Sequence, residues 1–183
     1  MVEQETIVNG ALLDAFHHNA WATGQLLEFC RDLSAEQLIS SGTGTYAGIL
    51  ETFNHLILSD ARYLRRLAGS GPAWIDSEGG ADPGDVDPSG IDLGQLRSRV
   101  KEMDKLWQQL LSQPFDSERL IILDQGAYQA RAGVLVAQAL FHGNAHREQI
   151  CAILTAEGKQ PPDIQGWAYG EATGRGGERK PDA

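Results

Sequence analysis

The sequence predicts an all-α protein, a four-helix bundle with a short hairpin before its last helix. Three observations predict it. Apolar residues recur at helical spacing in four long segments. Two long connections join these segments, as bundles with crossover loops allow. The alternation of strands and helices that a parallel sheet would need is absent.

The first helix is expected over about 7–31, where Leu12, Leu13, Phe16, Ala20, Leu27 and Cys30 keep an approximate helical spacing. Ser34-Ala35-Glu36-Gln37 fits a capping box opening a short turn. Ser41 to Thr45 supplies helix breakers and a candidate N-cap. A second helix is expected from about Tyr46 to Leu67, with Ile49, Leu50, Phe53, Leu56, Ile57 and Leu64 as its core line. Seven glycines, three prolines and five aspartates then fall in the 26 residues from Gly69 to Gly94. So few apolar groups cannot offset the ordering cost, which predicts a mobile loop over 69–94. Trp74 and Ile75 are its exceptions, and they either pin the loop to the bundle or face a ligand.

A third helix is expected from Leu93 to Leu111, stopping before Pro114. Leu120-Ile121-Ile122-Leu123, a Gly126-bearing turn and the run after it predict the hairpin. The last helix spans about Val134 to Glu157, with Gly158 suited to its C-cap. The expected organisation is one domain over 1–168 and a glycine-rich, disordered tail over 169–183.

Composition narrows the function. A net charge of −10 repels phosphate backbones, so nucleic acid is not an expected partner. Arg62, Arg65 and Arg66 form the one basic cluster and are read as a solvated helix face. No apolar run reaches the roughly 18 residues of a membrane span, and the acidic start lacks a signal-peptide pattern. A cytoplasmic protein is expected. Cys30 and Cys151 form no CxxC pair and read as buried thiols.

The chemistry lies in the histidines. His142 and His146 stand four residues apart, which brings their rings within roughly 40° of one another on a helix. Their stripe also carries Leu135, Ala139, Ile150 and Ile153, so it faces inward. Two inward imidazoles need either separate hydrogen-bond partners or one shared cation. His55, mid-helix beside the second core line, can join them across an antiparallel bundle. His17 and His18 point about 100° apart, so at most one faces the core. His18 is a candidate for contact with a ligand or substrate, against the alternative of a surface pair.

Several segments resemble the DinB/YfiT-like superfamily in order. Asn19-Ala20-Trp21-Ala22 looks like its first-helix Asn-x-Trp signature, and Thr52-Phe53-Asn54-His55-Leu56 like its second-helix segment. Gly126 to Gly133 resembles the turn and strand before its last helix. His142-Gly143-Asn144-Ala145-His146-Arg147-Glu148-Gln149 looks like its H-x-x-x-H-R-x-Q segment. The resemblance implies a divalent transition metal, usually zinc or nickel, on His55, His142 and His146. It also implies a frequent homodimer, and relatives that transfer low-molecular-weight thiols such as bacillithiol or mycothiol, or isomerise with glutathione-like thiols. Glu148 replaces the glycine common at its position, but lies about 160° from His146 and should face solvent.

Three protein ligands leave a coordination position for water or substrate. Three functions fit: a metal-dependent transferase joining a small thiol to an electrophile, a metal-dependent hydrolase of a small molecule, or a metal- or ligand-binding protein without turnover. The absence of an HExxH glutamate favours thiol transfer over peptide hydrolysis.

Overall fold

A computed structural model describes residues 9–77 and 90–178. Four long helices make the bundle: α1 (Gly10–Phe29), α3 (Ile49–Ala68), α5 (Leu93–Leu111) and α6 (Ala132–Ala156). Short helices α2 (Ala35–Leu38) and α4 (Trp74–Ser77) lie in the connections, and α7 (Gly166–Thr173) follows the bundle. Strands β1 (Leu120–Leu123) and β2 (Tyr128–Arg131) pair antiparallel, with Leu120 opposite Arg131 and Leu123 opposite Tyr128. Among the described residues, no helix is long and apolar enough to cross a membrane.

Helices α1 and α3 each pack against both α5 and α6. The direction of α3 against α6 can be read from its pairs. Tyr46, just before α3, meets Gln149; His55 meets His142; and Ser59 and Tyr63 share a cleft with Leu135. Numbers rise on one helix as they fall on the other, so the two run antiparallel. The buried residues form two apolar clusters. One contains Phe16, Leu58, Leu64, Trp107 and Leu135, and the other Leu26, Ile49, Phe53, Ile57, Leu96 and Ile150. Phe16 stacks on Trp107 at 4.0 Å between ring centroids. Burying each such side chain contributes about 1.5–3 kcal/mol before entropy is counted.

Local signals set several helix ends. Ser34 Oγ accepts from the Gln37 N–H, and Gln37 Oε1 accepts from the Ser34 N–H, closing the expected capping box. Asp92 Oδ1 accepts from the Gln95 N–H at 2.6 Å and opens α5. The expected start of α1 at Ile7 lies outside the described residues.

Three boundaries differ from expectation. Helix α3 begins at Ile49, not Tyr46, because Gly48 is its extended N-cap. A Cβ on Gly48 would stand 2.7 Å from the Ile39 carbonyl oxygen, so this corner needs glycine. Tyr46 is thereby left outside the helix. The expected loop over 69–94 contains the α4 turn. Trp74 Nε1 donates to Glu102 Oε2, and the Arg99 guanidinium sits 4.6 Å from the Trp74 ring centroid, so Trp74 and the buried Ile75 pin the chain to α5. Residues 78–89 of that span lie outside the described ones. The tail expected to be disordered from 169 is helical through Thr173, because Tyr169 packs edge-on against His18 and Trp21. Arg175 beyond it pairs with Asp14 at 2.7 Å.

Candidate metal centre

His55 on α3 and His142 and His146 on α6 converge. One ring nitrogen from each lies within 4.8 Å of the other two. The Nε2 atoms of His55 and His142 are 3.0 Å apart. At zinc–nitrogen distances of about 2.0–2.1 Å, two tetrahedral ligand atoms stand roughly 3.3 Å apart, so little movement separates this arrangement from ligation. Among the described residues no carboxylate or thiol joins the group.

The orientation of His146 can be derived. Gln149 Oε1 accepts from the Tyr46 backbone N–H at 3.2 Å and from His146 Nδ1 at 2.9 Å. A backbone N–H can only donate, so the oxygen of the Gln149 amide must face these two groups. His146 then carries its proton on Nδ1 and keeps the lone pair on Nε2, the arrangement typical of a ligating imidazole with an outer partner. The Tyr46 ring stacks on His55 at 4.1 Å and meets His146 edge-on at 5.4 Å. The Tyr63 ring meets His142 edge-on at 5.9 Å.

Electrostatics favour neutral rings. Burial, then the neighbouring His146 and His55, push the His142 pKa down to about 4. Burial also lowers that of His146, against an opposing hydrogen bond to Gln149. Neutral imidazole is the form that binds metal. The donor set therefore fits a divalent transition metal: three converging nitrogens, at least two rings held neutral, and one ring fixed in tautomer.

Behind the histidines lies a polar cluster that sequence reasoning missed. Arg147 is buried and turns toward α1. Its Nη1 donates to Asn19 Oδ1 at 2.6 Å, and at 3.3 Å to the Asn19 carbonyl and to Thr23 Oγ1. A Cβ on Gly143 would stand 2.6 Å from Asn19 Oδ1 and 3.0 Å from Arg147 Nη1, so only glycine leaves room for this clamp. On α3, Asp60 accepts from Trp107 Nε1 at 3.0 Å. Burial raises the Asp60 pKa to about 7, although the Trp107 hydrogen bond and the field of Arg147 lower it. Asp60 keeps some accessible surface, but it borders a pocket of about 20 Å³ shared with Phe16, Asn19, Leu56 and Trp107, room for about one water. The signals were present in Asn19 and Arg147, each inside a quoted motif.

The other candidates lie elsewhere. His17 donates from Nδ1 to Asp104 at 2.9 Å, and His18 from Nε2 to the Ile164 carbonyl at 2.7 Å. Neither joins the histidine group. Burial pushes the Cys30 thiol up to about 12 and the half-buried Cys151 thiol up to about 11, so both stay protonated near neutral pH. Glu148 is exposed.

A search of curated proteins found no match to this chain. The DinB family model matches residues 4–180, spanning all three histidines and the Arg147 clamp, and the chain belongs to the DinB family.

Proposed function

We propose that the protein holds one divalent transition metal, zinc or nickel, on His55, His142 and His146, and catalyses transfer of a low-molecular-weight thiol to an electrophile. The observation that carries this reading is the convergence of three imidazole nitrogens within 4.8 Å, with no fourth protein ligand among the described residues. Such a set leaves a position open, whereas structural sites are closed by four ligands. When bound, the ion would act as a Lewis acid and make a thiol proton labile at neutral pH.

The chain's own residues supply position. Gln149 holds His146 in its ligating tautomer. Tyr46 covers His55, and Tyr63 flanks His142, which limits water at the rings. In the reaction the thiol proton leaves to solvent, a bond forms from sulfur to the electrophilic carbon, and the leaving group departs with its electron pair. Among the described residues no carboxylate joins the group to act as a general base for water, which supports thiol transfer over hydrolysis.

Cobalt substitution tests the reading. Adding a small thiol at neutral pH should produce a thiolate-to-cobalt charge-transfer band in the near ultraviolet. That band should disappear in His55→Ala, and transfer rates across the histidine variants should fall with it. An unchanged cobalt spectrum with thiols of several sizes, alongside turnover of an ester or amide, would replace this reading with the hydrolase.

A further inference from the structure

Gly24 lies in the interior of α1, where glycine is a poorer helix former than alanine. No close packing requires it there. A Cβ at Gly24 would meet nothing within 4 Å, and its backbone is not left-handed. What glycine provides is space. Gly24 and Ala20, one turn apart, line with Val100 of α5 a cleft of about 530 Å³, a size that suits a small molecule. Trp21 of α1 and Tyr169 of α7 add two aromatic walls, packed edge-on at 5.7 Å. Ala20, Val100 and Asp104 also line the one-water pocket beside Asp60, so the cleft reaches the margin of the core. Its lining comes from α1, α5, α7 and Arg175, whereas the three histidines of the candidate metal centre stand on α3 and α6.

The charged groups of the lining compensate one another. Arg97 pairs with Glu28, and Arg175 pairs with Asp14. Lys101 is exposed to solvent, and the Asp104 carboxylate accepts from His17 Nδ1 at 2.9 Å. Because a carboxylate only accepts, His17 carries a proton on Nδ1, and the neutral ring keeps its lone pair on Nε2. That Nε2 has no hydrogen-bond partner among the described residues and is not closed off from solvent.

We propose that the cleft binds a neutral phenol, its ring over Ala20 and Gly24 and its hydroxyl donating to His17 Nε2. Balanced charges favour a ligand without net charge. The slot between α1 and α5 favours a flat apolar body, and the Trp21 and Tyr169 rings offer it edge and face contacts. One open acceptor, oriented by Asp104, calls for one donor. An aliphatic alcohol would satisfy that acceptor without using the two rings. The site requires neither the metal nor the thiol chemistry.

The test uses the full chain at pH 8 with two probes, β-naphthol and its methyl ether, which has the same ring and no donor. Binding is read from the fluorescence anisotropy of the naphthalene ring. The naphthol should bind about fivefold more tightly, the worth of one net hydrogen bond. Gly24→Leu, whose side chain would occupy the open space, should lose binding of both probes while keeping its helix content and metal content. His17→Phe should keep the affinity for the ether and lower that for the naphthol to match it. Failure of the naphthol to bind, or unchanged binding in a folded Gly24→Leu, overturns the cleft. Equal affinity of the two probes for the unmodified protein, or a preference that persists in His17→Phe, overturns the phenol assignment. If Gly24→Leu does not fold, the His17→Phe comparison decides alone.

Discussion

His146 and Arg147 are neighbours in sequence, yet α6 turns them toward different helices. His146 faces α3, where it meets His55, with His142 and the Gln149 amide oxygen of its own helix beside it. Arg147 faces α1, where one nitrogen meets three oxygen acceptors. The Arg147 cluster sets a donor against acceptors, which offsets the cost of burying it. The histidine cluster sets like against like. Its nitrogens aim at one another, and protonating one ring disfavours protonating the next. Complementary burial holds two helices together, whereas three converging imidazoles, two of them 3.0 Å apart, form a donor set compatible with a divalent metal.

The largest effect should come from breaking the complementary side. Arg147→Ala would leave Asn19 and Thr23 without their donor and remove the cation whose field acts on Asp60. We expect a loss of about 3–5 kcal/mol in urea unfolding at pH 8, as for other broken buried charge networks. A loss below about 1 kcal/mol would mean that the clamp does not secure α6 against α1.

His146→Ala should separate the two clusters. Metal affinity should fall by at least the roughly hundredfold that marks the upper end of outer-shell changes. Stability of the metal-free protein should move by less than about 1 kcal/mol, since no complementary partner other than Gln149 is lost. Full metal content in this variant, by elemental analysis, would remove His146 from the site. Gln149→Ala tests the outer layer more gently. It should weaken metal binding about tenfold by freeing the His146 tautomer, with all three ring nitrogens still present. Unchanged affinity would show that packing alone orients the ring.

These contrasts bear on what the sequence can disclose. The bounds of α5 were legible because Asp92 caps it and the apolar spacing runs unbroken to Leu111. The histidines were legible as a group because two share a helix face and the third sits on a core line. Arg147 was not, because a lone arginine beside a histidine reads as solvated until Asn19, 128 residues away, is brought to it by the fold. Gly143 reads as a weak point in a helix, and only the approach of Asn19 shows why a side chain is excluded. Arg62, Arg65 and Arg66 read as a solvated helix face, and Arg65 and Arg66 are exposed as expected. Leu135 and Asp124, which make it one wall of a cleft, come from other elements. Pairings within one helix can be read by counting, but those across helices need the packing.

The smallest effect, and the one that sets the clusters directly against each other, is the pH dependence of the metal-free protein. Asp60 is pushed up to about 7 in the fold, against about 3.9 in an unfolded chain. Between those values the folded protein binds a proton that the unfolded one does not, so acidification from pH 8 to 5 adds stability through Asp60. His142 runs the other way. Its folded value of about 4 lies below its unfolded value of about 6.5, so acidification through that window costs stability. His146, also lowered, adds to the loss. The opposing slopes should leave the metal-free protein nearly flat between pH 7 and 5, within about 1 kcal/mol. Asp60→Asn removes the favourable arm, so its stability should fall steadily over that range. His142→Ala removes part of the unfavourable arm, and its stability should rise as pH falls. Urea unfolding at pH 8, 6.5 and 5 separates the three curves. Parallel curves for all three proteins would mean that neither group changes its protonation on unfolding, and that the two clusters differ in geometry but not in charge.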